Sequence, residues 1–137
     1  MAEVIMGLLI WIGANTEYDV DFPQPIVVMT TLGNMCQLSG IQDKRSCEVS
    51  GLKGFYNEKE TIFLGADFDA NNTHHVSRLL HELVHYIQYK NGMGKSRCRG
   101  EIEVEAYDLQ DKWREARGLA PILPAFNRLM LEASCSA

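Results

Sequence analysis

The sequence predicts an α+β domain, and three observations carry that prediction. Apolar residues recur at helical spacing in four segments, an isolated run of strand formers follows the first of them, and two short strand-like runs flank a polar tetrapeptide. The coarse order is helix, strand, hairpin, helix, helix, helix, which implies a small sheet packed on helices. A chain of 137 residues with 46% hydrophobic content has the size and composition of one unit with an ordinary core, so residues 1–137 read as a single domain.

The first helix is expected over 3–15, because Val4, Leu8 and Ile12 share a stripe with Ile5 and Leu9, and it ends before Asn15. Its apolar run from Val4 to Ala14 is too short to span a bilayer. It follows Glu3, and no basic residue precedes Lys44, so it reads as neither a signal peptide nor a membrane anchor. "QPIVVMTT" then reads as a buried strand between Pro25 and Gly33, and residues 34–51 as a loop. In "LKGFYNEKETIFLG", strands near 52–56 and 61–65 are joined by the turn Asn57-Glu58-Lys59-Glu60.

After the loop "ADFDANNT", one of Asn71, Asn72 and Thr73 should cap a long helix that runs to about Asn91 and stops at Gly92 and Gly94. Its core stripe is Val76, Leu79, Leu80, Leu83, Val84 and Ile87. A third helix is expected from Arg99 to Arg117, with Gly118 as its stop and Ile102, Ala106, Leu109 and Trp113 facing the core. Pro121 and Pro124 introduce a last helix near 122–134.

A net charge of −5 argues against nucleic acid or an acidic membrane surface as the main partner, since both require a basic field. The cations Lys90, Lys95, Arg97 and Arg99 cluster in one stretch, which reads as a solvated loop. Cys36, Cys47, Cys98 and Cys135 have no C-x-x-C spacing, so a cysteine metal cluster is unsupported. Either four thiols or two disulfides fit. The Gly- and Ser-containing loop between Cys36 and Cys47 favours disulfides, and with them a periplasmic or secreted location. The favoured pairs are Cys36 with Cys47, closing a short loop, and Cys98 with Cys135, tying the tail to the third helix; other pairings stay open.

The segment "RLLHELVHYIQ" carries the chemistry. At about 100° per residue, His81 and His85 lie about 40° apart in azimuth and one turn apart in height, so both imidazoles can reach one ion. Glu82 points roughly to the same side, where it can take a proton from the water that the metal activates. The placement in mid-helix beside a strong apolar stripe separates this motif from two chance surface histidines. His74 and His75, near the start of that helix, read as solvated or capping residues, and Tyr86, Tyr89 and Tyr107 as packing residues that could also donate to an oxyanion.

A third ligand is needed, and periodicity leaves Glu101, Glu103 and Glu105 open. Glu103 and Gln110 lie along one edge of the third helix's stripe, Glu105 along the other, and Glu101 further toward solvent.

With His81-Glu82-x-x-His85, the hairpin "GFYNEKETIFLG" ahead of it and "EVEAYDLQ" behind it, the chain resembles the zincin metallopeptidases over roughly 52–117. Within them it looks like the gluzincins, in the form of the small bacterial peptidases with this motif. The resemblance implies a zincin-like fold, Zn2+ as cofactor, His81, His85 and Glu103 as ligands, and Glu82 as the catalytic base. Glu103 is singled out because it precedes Ala106 as the ligand does in the family's Glu-x-x-Ala-Asp segment. Tyr107 departs from the family, standing where relatives place an Asp or Asn partner for a ligand histidine. The chain continues through Gln88, Lys90 and Asn91 without the glycine and third histidine of metzincins, and it is too short for the two-domain thermolysin type.

Zinc-dependent hydrolysis of a peptide bond is the expected function, with a peptide or protein substrate pairing along the strand Thr61–Gly65. A metal-binding or scaffold module with little catalysis is the alternative, and a purely structural zinc site a further one. Glu82 speaks against the structural site, which has no use for an acid between its histidines.

Overall fold

In the computed structural model, which describes residues 1–50, 52–57 and 60–136, helix α1 (Ala2–Asn15) buries Ile5, Leu8, Leu9 and Ile12 on one stripe. Its C-terminal carbonyls are satisfied by side chains: Asn15 Nδ2 donates to the Trp11 carbonyl and Thr16 Oγ1 to that of Ile12, each at 2.8 Å. Strand β1 (Ile26–Thr30) follows. Residues expected as loop then form two short helices, α2 (Leu32–Ser39) and α3 (Lys44–Val49). Each has a side-chain cap, with Thr31 Oγ1 accepting from the Asn34 amide and Asp43 Oδ2 from that of Ser46. The Cys36–Cys47 disulfide joins the two. Helices this short carry too little periodicity to stand out from a polar loop.

Strands β2 (Gly54–Asn57) and β3 (Thr61–Gly65) form the expected hairpin; of its turn, Glu58 and Lys59 lie outside the described residues. The sheet order is β1-β3-β2, with β1 parallel and β2 antiparallel to the central β3. Two expectations are corrected here. First, β1 is an edge strand and not a buried one, with Ile26 64% exposed and Val28 and Met29 exposed as well; one-sided pairing leaves an apolar run partly in water. Second, β3 has both edges occupied, so Thr61–Gly65 has no free edge for an extended peptide. Its inward residues Ile62 and Leu64 are core.

Helix α4 (Thr73–Lys90) is the central element. Asn72 caps it, its Oδ1 accepting from the His74 and His75 amides at 2.9 and 3.3 Å. All six residues of its expected stripe are buried against the sheet, α1 and the following helix. A single turn, α5 (Met93–Ser96), precedes α6 (Arg99–Glu115). Ala106, Leu109 and Trp113 of α6 are buried as expected, while Ile102 is only half-buried. Beyond α6, Gly118 takes the left-handed φ of 73° that favours glycine at a helix end.

Helix α7 (Ala125–Ala133) contributes no fully buried residue. It lies on the first turn of α6, where the Cys98–Cys135 disulfide ties the two together. A Cβ on Gly100 would sit 2.1 Å from the Leu131 carbonyl oxygen, so glycine is what lets α7 come this close. Among the described residues the fold is thus an α+β arrangement of three strands and seven helices. No helix among the described residues is long and apolar enough to cross a membrane.

Candidate metal centre

The long apolar face of α4 fixes which way its polar residues turn. With Leu79, Leu80, Leu83 and Val84 locked in the core, His81, Glu82 and His85 point into a cleft between α4, α6 and the edge strand β2. His81 and Glu82 are each only 8% exposed. Aromatic and apolar side chains, Phe55, Tyr56, Tyr89, Ile102 and Tyr107, line the walls.

Of the three candidate glutamates, Glu103 meets the histidines. Its Oε1 lies 2.6 Å from His85 Nε2 and its Oε2 3.6 Å from His81 Nε2. Donor atoms of His81, His85 and Glu103 all fall within 4.8 Å of one another. Glu105 turns the other way, to Arg97 and Tyr18, and Glu101 is exposed beside Arg97. The small Ala106, fully buried, permits the close approach of α6 to α4.

The other nitrogen of each imidazole is held by a carboxamide. His81 Nδ1 donates to Gln110 Oε1 at 3.0 Å, and His85 Nδ1 to Gln88 Oε1 at 2.8 Å. The far ends of these amides settle their orientation. Gln110 Nε2 donates to Ser77 Oγ at 3.3 Å, and Gln88 Nε2 to Glu105 Oε1 at 2.9 Å and to the Ile102 carbonyl at 3.0 Å. Because an amide oxygen can only accept, each histidine carries a hydrogen on Nδ1 and turns its Nε2 inward, toward Glu103. The two Nε2 atoms are 3.1 Å apart. Two imidazole nitrogens and a carboxylate this close need a proton or a metal cation among them, and two imidazoles with one carboxylate are a donor set that could hold a divalent ion.

The same crowding shifts the proton affinities of the group. Burial opposes ionisation of Glu103, yet the hydrogen bonds and charges of His81 and His85 hold it well below the usual carboxylate range. Burial pulls His85 down, but its hydrogen bond to the Glu103 carboxylate and the charges of Glu82 and Glu103 outweigh it and raise its pKa. Glu82 is raised by burial, with the two imidazoles partly offsetting this and Glu103 adding to it. A carboxylate with raised proton affinity at the edge of a cleft is suited to accept a proton. Gly54 on β2 leaves it room: a Cβ there would lie 3.3 Å from both Cγ and Oε1 of Glu82.

Tyr107 packs against His81 with ring centroids 4.5 Å apart and the ring planes inclined at 58°. It therefore faces the site without taking the place of the missing Asp. That role falls to Gln110, one turn further on and on the same edge of α6 as Glu103, and to Gln88, three residues after His85. The i, i+7 and i, i+3 spacings were present in the sequence; only the expectation of an acid hid them. His75 Nδ1 accepts from the Asp69 amide at 2.9 Å, and Arg114 reaches His74 Nδ1 at 3.2 Å, so both histidines serve the start of α4, away from the cleft.

No curated protein and no solved structure matches the chain. A family model described as Domain of unknown function (DUF6647) matches residues 1–137, and the chain belongs to that family.

Proposed function

We propose that this protein is a zinc-dependent hydrolase of peptide bonds, of the gluzincin type. The observation that supports it most is the convergence of His81, His85 and Glu103 in an open cleft with Glu82 beside them and an edge strand along the rim. Zn2+ held by that trio supplies Lewis acidity toward a carbonyl and a water. The remaining work belongs to the chain. Glu82 accepts the proton of the attacking water and delivers it to the leaving amine. An extended peptide lies along β2, the strand that lines the cleft, in place of the central β3. Tyr107, packed against His81, offers its hydroxyl to the carbonyl oxygen as charge develops there.

The two disulfides fit an oxidising compartment, periplasmic or extracellular. Glu82→Gln tests the reading: it should bind zinc like the parent and lose about 100- to 10,000-fold in cleavage of an unfolded protein, because an amide cannot take the proton. Equal cleavage by variant and parent overturns the mechanism. A zinc-loaded parent that cuts no unfolded protein favours the metal-binding module instead.

A further inference from the structure

The basic stretch that reads as a solvated loop does not behave as one. Arg97 and Arg99 both line the cleft. Arg97 is spoken for, since its NH1 donates to Glu105 Oε1 and to the Tyr18 hydroxyl, each at 3.0 Å, and its Nε lies 3.8 Å from Glu101. Arg99 makes no hydrogen bond or ion pair among the described residues. With a divalent ion in place, the carboxylates of Glu82 and Glu103 offset its charge. Arg99 is then the uncompensated charge of the cleft, in a protein of net charge −5.

Its position is fixed from both sides. Cys98, the preceding residue, is in the disulfide to Cys135, and Gly100, the next, has its Cα against the backbone of α7. The stem of Arg99 therefore starts from a stapled helix turn, so little backbone order is lost when it engages a ligand. Arg99 precedes Glu103 by one helical turn, which sets their Cβ atoms about 5–6 Å apart on one face. A group held by the guanidinium thus lies within one or two peptide residues of the ion-binding trio.

We propose that Arg99 reads the substrate, and that the peptides this cleft takes carry an Asp or Glu side chain one or two residues from the bond that is cut. This rests on the hydrolase reading above. A planar guanidinium with free N–H groups engages a carboxylate through two parallel hydrogen bonds and gains nothing from an amide of the same shape beyond a single neutral contact.

The experiment uses the zinc-loaded full chain and fluorogenic peptides that differ only in Asp, Asn or Lys at each of three positions on either side of the scissile bond. Wild type should prefer Asp at one position by roughly tenfold in kcat/KM at low salt, less at high salt. Arg99→Gln should bring that ratio near one, Arg99→Lys should keep part of it, and Arg99→Glu should reverse it in favour of Lys at the same position. Equal cleavage of Asp and Asn peptides by wild type, or a preference that survives in Arg99→Gln, overturns the proposal. A binding measurement separates it from the hydrolase reading. Zinc-loaded Glu82→Gln is titrated into fluorescein-labelled Asp and Asn peptides and followed by anisotropy. A tenfold Arg99-dependent difference in Kd supports the acidic ligand even if nothing is cut, whereas equal affinities or no binding refute it.

Discussion

Gln110 and His81 stand on different helices, yet the Gln110 carboxamide takes the His81 Nδ1 hydrogen at 3.0 Å and turns the opposite nitrogen toward Glu103. Gln88 does the same for His85 from within α4. Both imidazoles that face Glu103 are thus aimed by neutral groups. Replacing either glutamine by Ala should weaken zinc binding about 10- to 100-fold, as read by chelator competition, because ring orientation and tautomer are no longer fixed. Affinities within twofold of the parent for both variants would show that the amides do not orient the rings.

Glu103 should be distinguishable from its neighbours by the metal alone. Saturating zinc should raise the melting temperature of the parent by about 10 °C at a thousandfold excess over Kd, and EDTA should reverse it. Glu103→Gln should lose most of this rise. Glu101→Gln should keep it, since that residue is exposed and paired only with Arg97. Loss of the zinc-induced rise in Glu101→Gln or Glu105→Gln, with Glu103→Gln intact, would place the third ligand elsewhere.

Removing the Cys98–Cys135 bond by paired Ser substitution should cost about 2–4 kcal/mol, given the 37-residue separation it closes. The loss should be local in its first stage. Helix α7 buries no residue fully, so its amides should exchange hydrogen fast in the variant while those of α4 stay protected. Uniform protection of α7 with and without the bond would mean that packing on α6 holds it unaided.

Alkaline pH should reveal the Tyr18–Glu105 pair. Burial first, then the hydrogen bond to Glu105 and its charge, push the Tyr18 phenol from 10.0 up to about 12. The folded state therefore keeps a proton that the unfolded chain loses. The stabilisation is whole below pH 10 and disappears as pH rises toward 12. Spectrophotometric titration of Glu105→Gln should move one phenol back toward pH 10. An unchanged late-titrating phenol in that variant would show that burial alone, without Glu105, holds the Tyr18 proton.

What could be read beforehand followed the strength of local periodicity. In α4 the stripe and the orientation of His81 and His85 were legible, because eighteen residues of regular helix leave little freedom, while the cap was narrowed to Asn71, Asn72 or Thr73 and only the structure picks Asn72. α2 and α3 were not, since six to eight residues give barely two turns of pattern. Exposure of β1 depends on which strands pair with it, which no local signal carries. The preference for Glu103 over Glu105 needed a family likeness, because the stripe of α6 has two edges and only packing against α4 shows which one faces the histidines. Gln88 and Gln110 were in view and passed over. Their role exists only once two helices are side by side.

The Cys98–Cys135 bond also imposes a timetable. His81, Glu82, His85, Arg99 and Glu103 all precede Cys135 in the chain, so the ribosome delivers every one of them before the thiol that secures this wall of the cleft. None of those groups belongs to the bond, so reducing it leaves every donor atom in the chain and takes away only the covalent tie between the tail and the first turn of α6.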